Sequence, residues 1–207
     1  MANLEQIRDA IRVRLGVPAV DTFYGDETLD DLANESLQVV SVEEDWPWLQ
    51  ATETITTVSG TQAYSPTDPL WMRTKALVIS GYDAMQWHSL QEIREFGTDY
   101  VGLPTQYTLF GDQILFGPTP DGAYSVTHDY LKQESPLVAA TDEPLMPSQF
   151  HGVVIAFATH LAFLRAGDQT RASAYMQEYR EWLNRMRDHR RRTSSPLRVR
   201  VRRGGGL

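Results

Sequence analysis

The segment Ser148–Arg165, which reads SQFHGVVIAFATHLAFLR, decides the fold of this chain. Its apolar residues point in almost every direction around a helix, and this pattern predicts a helix that is buried on several sides. Ser148 is the expected N-cap, and Gly167 is the expected end. The segment is shorter than the roughly 20 apolar residues that cross a bilayer, and His151 and His160 interrupt it. We therefore expect a buried helix of a bundle and no membrane span.

Three amphipathic helices are predicted to pack with this segment. They cover residues 4–15, 28–44 and 168–192, and the last of them begins with Asp168 or Thr170 as its cap. Each has one apolar face, which a bundle would bury. The predicted core-facing residues are Leu4, Ile7, Ile11 and Leu15 in the first helix, Leu29, Leu32, Ala33, Ser36, Leu37 and Val40 in the second, and Ala172, Tyr175, Tyr179, Trp182 and Met186 in the last.

The sequence between Gln50 and Ser135 is typical of strands. β-branched and aromatic residues form short runs, and turn residues such as Ser59-Gly60 and Gly111-Asp112 separate them. Ser89 opens one short helix through a capping box. The predicted strands are 52–58, 62–64, 72–79, 82–87, 106–110, 113–116 and 123–131.

The order of these elements predicts an α+β fold. Residues 1–49 and 136–189 would form one discontinuous helical bundle, because each helix has an apolar face to bury. Residues 50–135 would form an inserted β-rich domain. Residues 190–207 would form an extended basic arm.

Charge is distributed unevenly along the chain. Net charge is −8, but Arg185–Leu207 holds nine arginines and only one acid, Asp188, for a net of +8. Residues 1–184 therefore carry a net of −16. An acidic body repels phosphate, so only the tail is suited to bind nucleic acid or an acidic protein surface.

Motifs for catalysis or metal binding are missing from the sequence. The chain has no cysteine, which excludes thiolate metal sites and cysteine nucleophiles. No histidine has a second histidine four residues later, and no P-loop, G-x-G-x-x-G or G-x-S-x-G motif is present. We expect no enzymatic activity, no bound metal and no cofactor.

Two features with possible binding roles have simpler structural interpretations. His128 shares one strand face with Val126 and Tyr130, so we expect a hydrogen-bonded core histidine. Trp46-Pro47-Trp48 is expected to fix the end of the second helix, with proline setting the exit angle; the alternative is an exposed binding patch.

The order of the motifs along the chain resembles a known family. An acidic second helix ends in DWPWL at residues 45–49, and TITTVSGTQAY follows at 54–64. GLPTQY occupies 102–107, ILFGPTPDG occupies 114–122, and two helices close the chain. This arrangement resembles the head-to-tail adaptor proteins of tailed bacteriophages, also called connector or head-completion proteins.

The resemblance implies a structural virion protein that is assembled in the host cytoplasm and lies in the head–tail neck. It implies a homo-oligomeric ring, commonly of twelve copies, that binds below the portal protein and performs no catalysis. Such a ring extends the channel through which viral DNA passes without sequence-specific binding. It also offers a docking surface for tail or neck proteins.

Two sets of contact residues are expected. A single subunit is expected to leave part of the apolar helix exposed, and a neighbouring subunit would cover it. In the arm, apolar residues alternate with arginines, which predicts a strand that could add to a sheet edge of the portal. The expected subunit-packing residues are Phe150, Val154, Phe157 and Leu161. The expected portal-binding residues are Arg190, Arg191, Arg192, Leu197, Arg198, Val199, Arg200, Val201, Arg202 and Arg203.

Two other functions remain open at the level of sequence. The first is a nucleic-acid-binding protein that uses the arginine-rich tail, although the acidic body lacks the second basic surface expected for that class. The second is a different virion ring, such as a tail terminator or a baseplate subunit, although those are dominated by β structure.

Overall fold

The computed structural model describes residues 2–95 and 100–194, and in them it forms two compact units. The first unit contains residues 2–40 and 136–194, and the second contains the described residues between 41 and 135. Helices flank a small β-rich unit, which confirms the α+β class. Residues 41–49 belong to the second unit, whereas the sequence pattern placed them with the bundle.

The described residues contain five α-helices and nine strands. The helices are α1 (Leu4–Leu15), α2 (Asp26–Glu43), α3 (Leu90–Glu95), α4 (Gly152–Arg165) and α5 (Gln169–Ser194). The strands are β1 (Gln50–Thr56), β2 (Ala63–Tyr64), β3 (Trp71–Ile79), β4 (Gln86–Trp87), β5 (Val101–Gly102), β6 (Gln106–Phe110), β7 (Gln113–Gly117), β8 (Thr119–Pro120) and β9 (Ser125–Lys132). Short 3₁₀ helices occupy Pro47–Leu49 and Ser148–Phe150.

Helix α1 has the predicted bounds, and local signals at both ends explain them. Asn3 and Gln6 form a capping box, in which the backbone N–H of Gln6 donates to Asn3 Oδ1 over 2.9 Å. Gly16 ends the helix with a left-handed φ of 70°, a conformation that glycine adopts without a Cβ penalty. The four predicted core-facing residues are buried.

Helix α2 begins two residues before the predicted start, and ion pairs join its first turn to α1. Arg8 Nη1 lies 3.1 Å from Asp26 and 3.3 Å from Asp30, and Arg12 also pairs with Asp26. Arg12 is buried although the helical pattern placed it on the polar face. Burial raises the pKa of Asp30, although the charge of Arg8 acts in the opposite direction. All six predicted core-facing residues of α2 are buried.

Helix α4 is buried within its own unit, where it packs against both α1 and α5. The prediction that Ser148 caps it is wrong, because Ser148 begins a 3₁₀ helix and α4 starts only at Gly152. At Gly152, a Cβ would lie 2.5 Å from the Trp182 ring of α5, so only glycine permits this approach. In the described residues, no helix is long and apolar enough to cross a membrane.

Helix α5 is capped by Asp168, one of the two predicted candidates. The backbone N–H of Arg171 donates to Asp168 Oδ1 over 2.9 Å. The helix continues to Ser194, two residues beyond its predicted end, so residues 190–194 belong to the helix and not to the arm to which the domain division assigned them. The remaining arm residues lie outside the described part of the chain.

The second unit contains three sheets. Strand β9 lies between β1 and β3 in an antiparallel sheet, with Gln50 opposite Leu131 and Ile55 opposite Val126. A four-stranded sheet has the order β2-β7-β6-β4, and β5 pairs with β8. The core of the unit consists of Ile55, Leu77, Ile79, Met85, Tyr107, Ile114, Phe116 and Val126.

Candidate interaction surfaces

The predicted subunit-packing residues are mostly covered within their own unit. Phe150, Val154 and Phe157 are buried in the single chain, and only Leu161 of this set is partly accessible. The Phe157 ring lies 4.6 Å from that of Tyr179, measured between ring centroids. Part of α4 is accessible, as expected, since Leu161 is partly exposed and Leu164 is 47% exposed, but the subunit itself covers the other three predicted packing residues. Contact between subunits through this helix stays a prediction.

Only the first three of the predicted portal-binding arginines lie within the described residues. Arg190, Arg191 and Arg192 lie on the last turns of α5, where Arg191 is 3.7 Å from Asp188. Residues 197–203 lie outside the described residues. The structure therefore places the start of the expected surface on a helix, and the role of the remaining residues stays a prediction.

A cleft that the sequence analysis missed lies beside these arginines. It has a volume of about 370 Å³ and is lined by Gln149 and Phe150 on one side and by four residues of α5 on the other. The Phe150 and His189 rings meet edge to face, with their centroids 5.2 Å apart. The α5 residues are Arg185, Asp188, His189 and Arg192. These residues are three or four positions apart, which places them on one helical face, and this spacing is the signal in the sequence that could have indicated the cleft.

Three buried histidines have hydrogen-bond partners. His151 Nε2 lies 3.1 Å from the carbonyl oxygen of Met146, and His160 Nδ1 lies 2.7 Å from that of Ala172. Burial lowers the pKa of His151, although the bond to Met146 opposes that shift. These contacts join segments of the bundle, and within the described residues no group of three or more His, Asp or Glu side chains could hold a metal ion.

His128 is the third, and it is fully buried in the β unit, as its strand pattern predicts. Its Nδ1 lies 2.8 Å from Glu53 Oε1, and its Nε2 lies 2.9 Å from the Thr74 hydroxyl. A carboxylate only accepts hydrogen bonds, so Nδ1 carries the proton, and in the neutral ring Nε2 accepts from Thr74. The Tyr130 ring stacks on His128 at 5.0 Å, and its hydroxyl donates to Asp68 over 2.9 Å. Every member of this network has a partner, which fits a structural role.

Glu53 makes the network sensitive to acid. Burial alone would raise the pKa of Glu53, but hydrogen bonds from Thr67 and His128 outweigh burial and hold the pKa below its usual value. A lowered folded-state pKa contributes stability above the unfolded-state pKa, and this stability is lost as the pH falls through the folded-state pKa.

We expect Glu53→Gln to lower the free energy of unfolding by about 1–2 kcal/mol at pH 7 and by less at pH 3. Urea denaturation at both pH values measures the difference. Glu181→Gln, at an exposed position of α5, is the matched control and should change stability little at either pH. An equal loss at both pH values for Glu53→Gln would contradict the argument.

The Trp46-Pro47-Trp48 motif is not an exposed patch. Trp46 has no solvent exposure, and the two indole rings stack with centroids 5.0 Å apart and planes 10° apart. Pro47 opens the 3₁₀ helix directly after Trp46. The motif is therefore part of the packing at the start of β1, and the alternative of a binding patch that exposes both tryptophans is excluded.

These features describe an α+β protein with buried, mutually hydrogen-bonded polar groups and an arginine-rich helix end. The sequence matches the SU10 adaptor protein family over residues 2–200. No curated protein matches the chain. The chain belongs to the SU10 adaptor protein family, so it is a structural adaptor of a bacteriophage virion.

Proposed function

We propose that this protein is the head-to-tail adaptor of a tailed bacteriophage. It forms a homo-oligomeric ring below the portal protein, extends the DNA channel and offers the surface on which tail or neck proteins dock. The observation that carries the proposal is the family match, which covers residues 2–200 and therefore both structural units. Membership in a structural adaptor family also supports a role without catalysis. Assembly would take place in the host cytoplasm before the ring joins the virion.

The charge distribution supports a channel function. Residues 1–184 carry a net charge of −16, and like charge keeps DNA from adhering to a surface along which it must move. The basic residues are concentrated from Arg185 onward. This end of the chain therefore attracts acidic surfaces, whereas the body repels the phosphates of DNA. The basic end would attach to an acidic protein partner, and the acidic body would lie near the DNA.

The proposal is tested by imaging the purified full-length protein alone and after mixing with purified portal protein. We expect closed rings stacked on one face of the portal in averaged electron micrographs. Single copies bound at scattered positions, or no binding to portal under any mixing condition, would overturn the proposal.

We expect the variant Leu197→Ser/Val199→Ser/Val201→Ser to lose attachment to the portal, because the apolar face of the arm would be removed. Co-sedimentation with portal measures attachment. The matched control replaces Arg198, Arg200 and Arg202 by lysine, which keeps the charge and the apolar residues. Normal attachment of both the triple serine variant and a chain that lacks residues 190–207 would eliminate the arm as a portal contact.

The same variant separates portal docking from DNA binding. Phosphate binding depends on the number of positive charges and on salt, so it should change little when only apolar residues are replaced. We expect the triple serine variant to bind duplex DNA as weakly as the original chain at 150 mM salt. Tight binding of duplex DNA by both chains, together with unchanged attachment of the variant to portal, would favour the nucleic-acid-binding alternative.

A further inference from the structure

The cleft at the end of α5 presents arginines that could dock carboxylates, and Asp188, which also lines it, lies 3.7 Å from Arg191. Phe150 contributes an apolar floor, and Arg185 and Arg192 lie on the facing helix, seven residues or about 10 Å apart. Both arginines are exposed. Guanidinium groups above an aromatic floor bind carboxylates well, because the planar fork donates two hydrogen bonds to one carboxylate.

The two arginines have no ion-pair partner in the described part of the chain. Arg185 lies over the Trp182 ring, 5.0 Å from its centroid, and its side chain is exposed to solvent. Nearby arginines are different: Arg14 pairs with Glu178 at 2.9 Å, and Arg171 pairs with Asp168 at 2.6 Å. Arg185 and Arg192 are therefore cations that the folded unit does not itself neutralise.

The outer face of α2 has the complementary charge. Glu27, Asp31 and Glu35 are exposed, and they follow one another at intervals of four residues on the side opposite the buried residues. Within the described residues none of the three has an ion-pair partner, whereas Asp26 and Asp30 pair with α1. Like charges at this spacing repel each other, so a cationic partner would stabilise α2.

We propose that the cleft at the end of α5 binds the outer face of α2 of a second copy of this chain. The carboxylates from Asp31 and Glu35 would meet Arg185 and Arg192, and the apolar floor at Phe150 would exclude water from these pairs. The contact joins two different surfaces, so it is heterologous, and repetition of such a contact can close a ring. The inference rests on the proposed ring and names the residues that would hold neighbouring copies together.

A charge-swap experiment tests this contact. Asp31→Arg/Glu35→Arg and Arg185→Glu/Arg192→Glu are made separately and then combined in one chain. Native mass spectrometry and averaged micrographs measure ring formation by each full-length chain at 100 mM salt, alone and with portal. Circular dichroism shows whether each variant is folded.

We expect each separate reversal to weaken association between copies by about tenfold or more, because like charges would then face each other. The combined chain should recover association to within about threefold of the original, because every pair is restored with its signs exchanged. The matched control is Asp83→Arg/Asp112→Arg, which makes the same charge change at exposed positions outside the contact. This control should assemble like the original chain.

The outcomes separate this inference from the proposed function. Normal assembly of both separate reversals, or no recovery in a folded combined chain, would overturn the contact while the ring proposal stands. Loss of portal attachment or of DNA binding with normal association between copies would assign the cleft to another partner and would also overturn it. If the original chain forms no ring with or without portal, the proposed function itself fails.

Discussion

The variant Phe157→Asp is expected to purify as an unfolded or aggregated chain. Phe157 is only 9% exposed, and its ring contacts those of Tyr179 and His160, with centroids 4.6 and 5.6 Å away. Loss of a buried phenylalanine costs about 3–5 kcal/mol, and an unpaired buried carboxylate adds to that cost. The sum is comparable to the entire free energy of unfolding of a typical domain.

The matched control lies on the same helix. Leu164 is 47% exposed, so Leu164→Asp introduces the same charge where water can solvate it and should leave the chain folded. Circular dichroism and thermal melting of both variants measure the contrast. A folded Phe157→Asp chain that fails only in assembly would show that this side chain faces a neighbouring subunit, contrary to its burial in the structure.

The variant Gly152→Val is expected to lose about 3 kcal/mol of folding free energy. A Cβ at this position would lie 2.5 and 2.6 Å from two carbons of the Trp182 ring, which is closer than non-bonded atoms approach. Trp182 cannot move freely, because Arg185 lies over its ring and its Nε1 donates to Glu178 over 3.3 Å. Helices α4 and α5 would have to separate to relieve the overlap.

Two further variants isolate this overlap. Gly122→Ala adds a Cβ where no atom lies within 4 Å, so it should change stability by less than about 0.5 kcal/mol. In the double variant Gly152→Val/Trp182→Ala, the added methyl groups have space. The sum of the folding free energies lost by the two single variants should therefore clearly exceed the loss measured for the double variant. Urea denaturation measures all of these values. Strictly additive losses would show that the ring of Trp182 does not limit residue 152.

Local signals predicted much of this fold. The terminating Gly16 and the apolar spacing of Ile7 and Ile11 act within a few residues, so the pattern of the sequence contained the bounds and the buried face of α1. The same holds for the hairpin of β6 and β7, where Gly111 has a positive φ of 60°.

Features that depend on distant partners were not predictable. His128 was predicted to be a bonded core histidine, but its partner Glu53 lies 75 residues away and no local pattern identifies it. The burial of Phe157 depends on how α5 and other segments pack around α4, and a one-dimensional apolar pattern does not contain that information. The cleft at Phe150 was missed for the same reason, because its two walls come from separate segments of the chain.

The chain connectivity also affects the order in which the protein can fold during synthesis. The antiparallel sheet of β1, β9 and β3 is complete once Lys132 has left the ribosome, so the β unit can fold as soon as it emerges. Helix α1 packs on α4, which ends at Arg165, about 150 residues after Leu15. At about 5–20 residues per second, roughly 8 to 30 seconds of synthesis separate α1 from its partner, and its apolar face is uncovered during that time. Host chaperones that shield such faces would therefore act on the first helices of the nascent chain rather than on its middle.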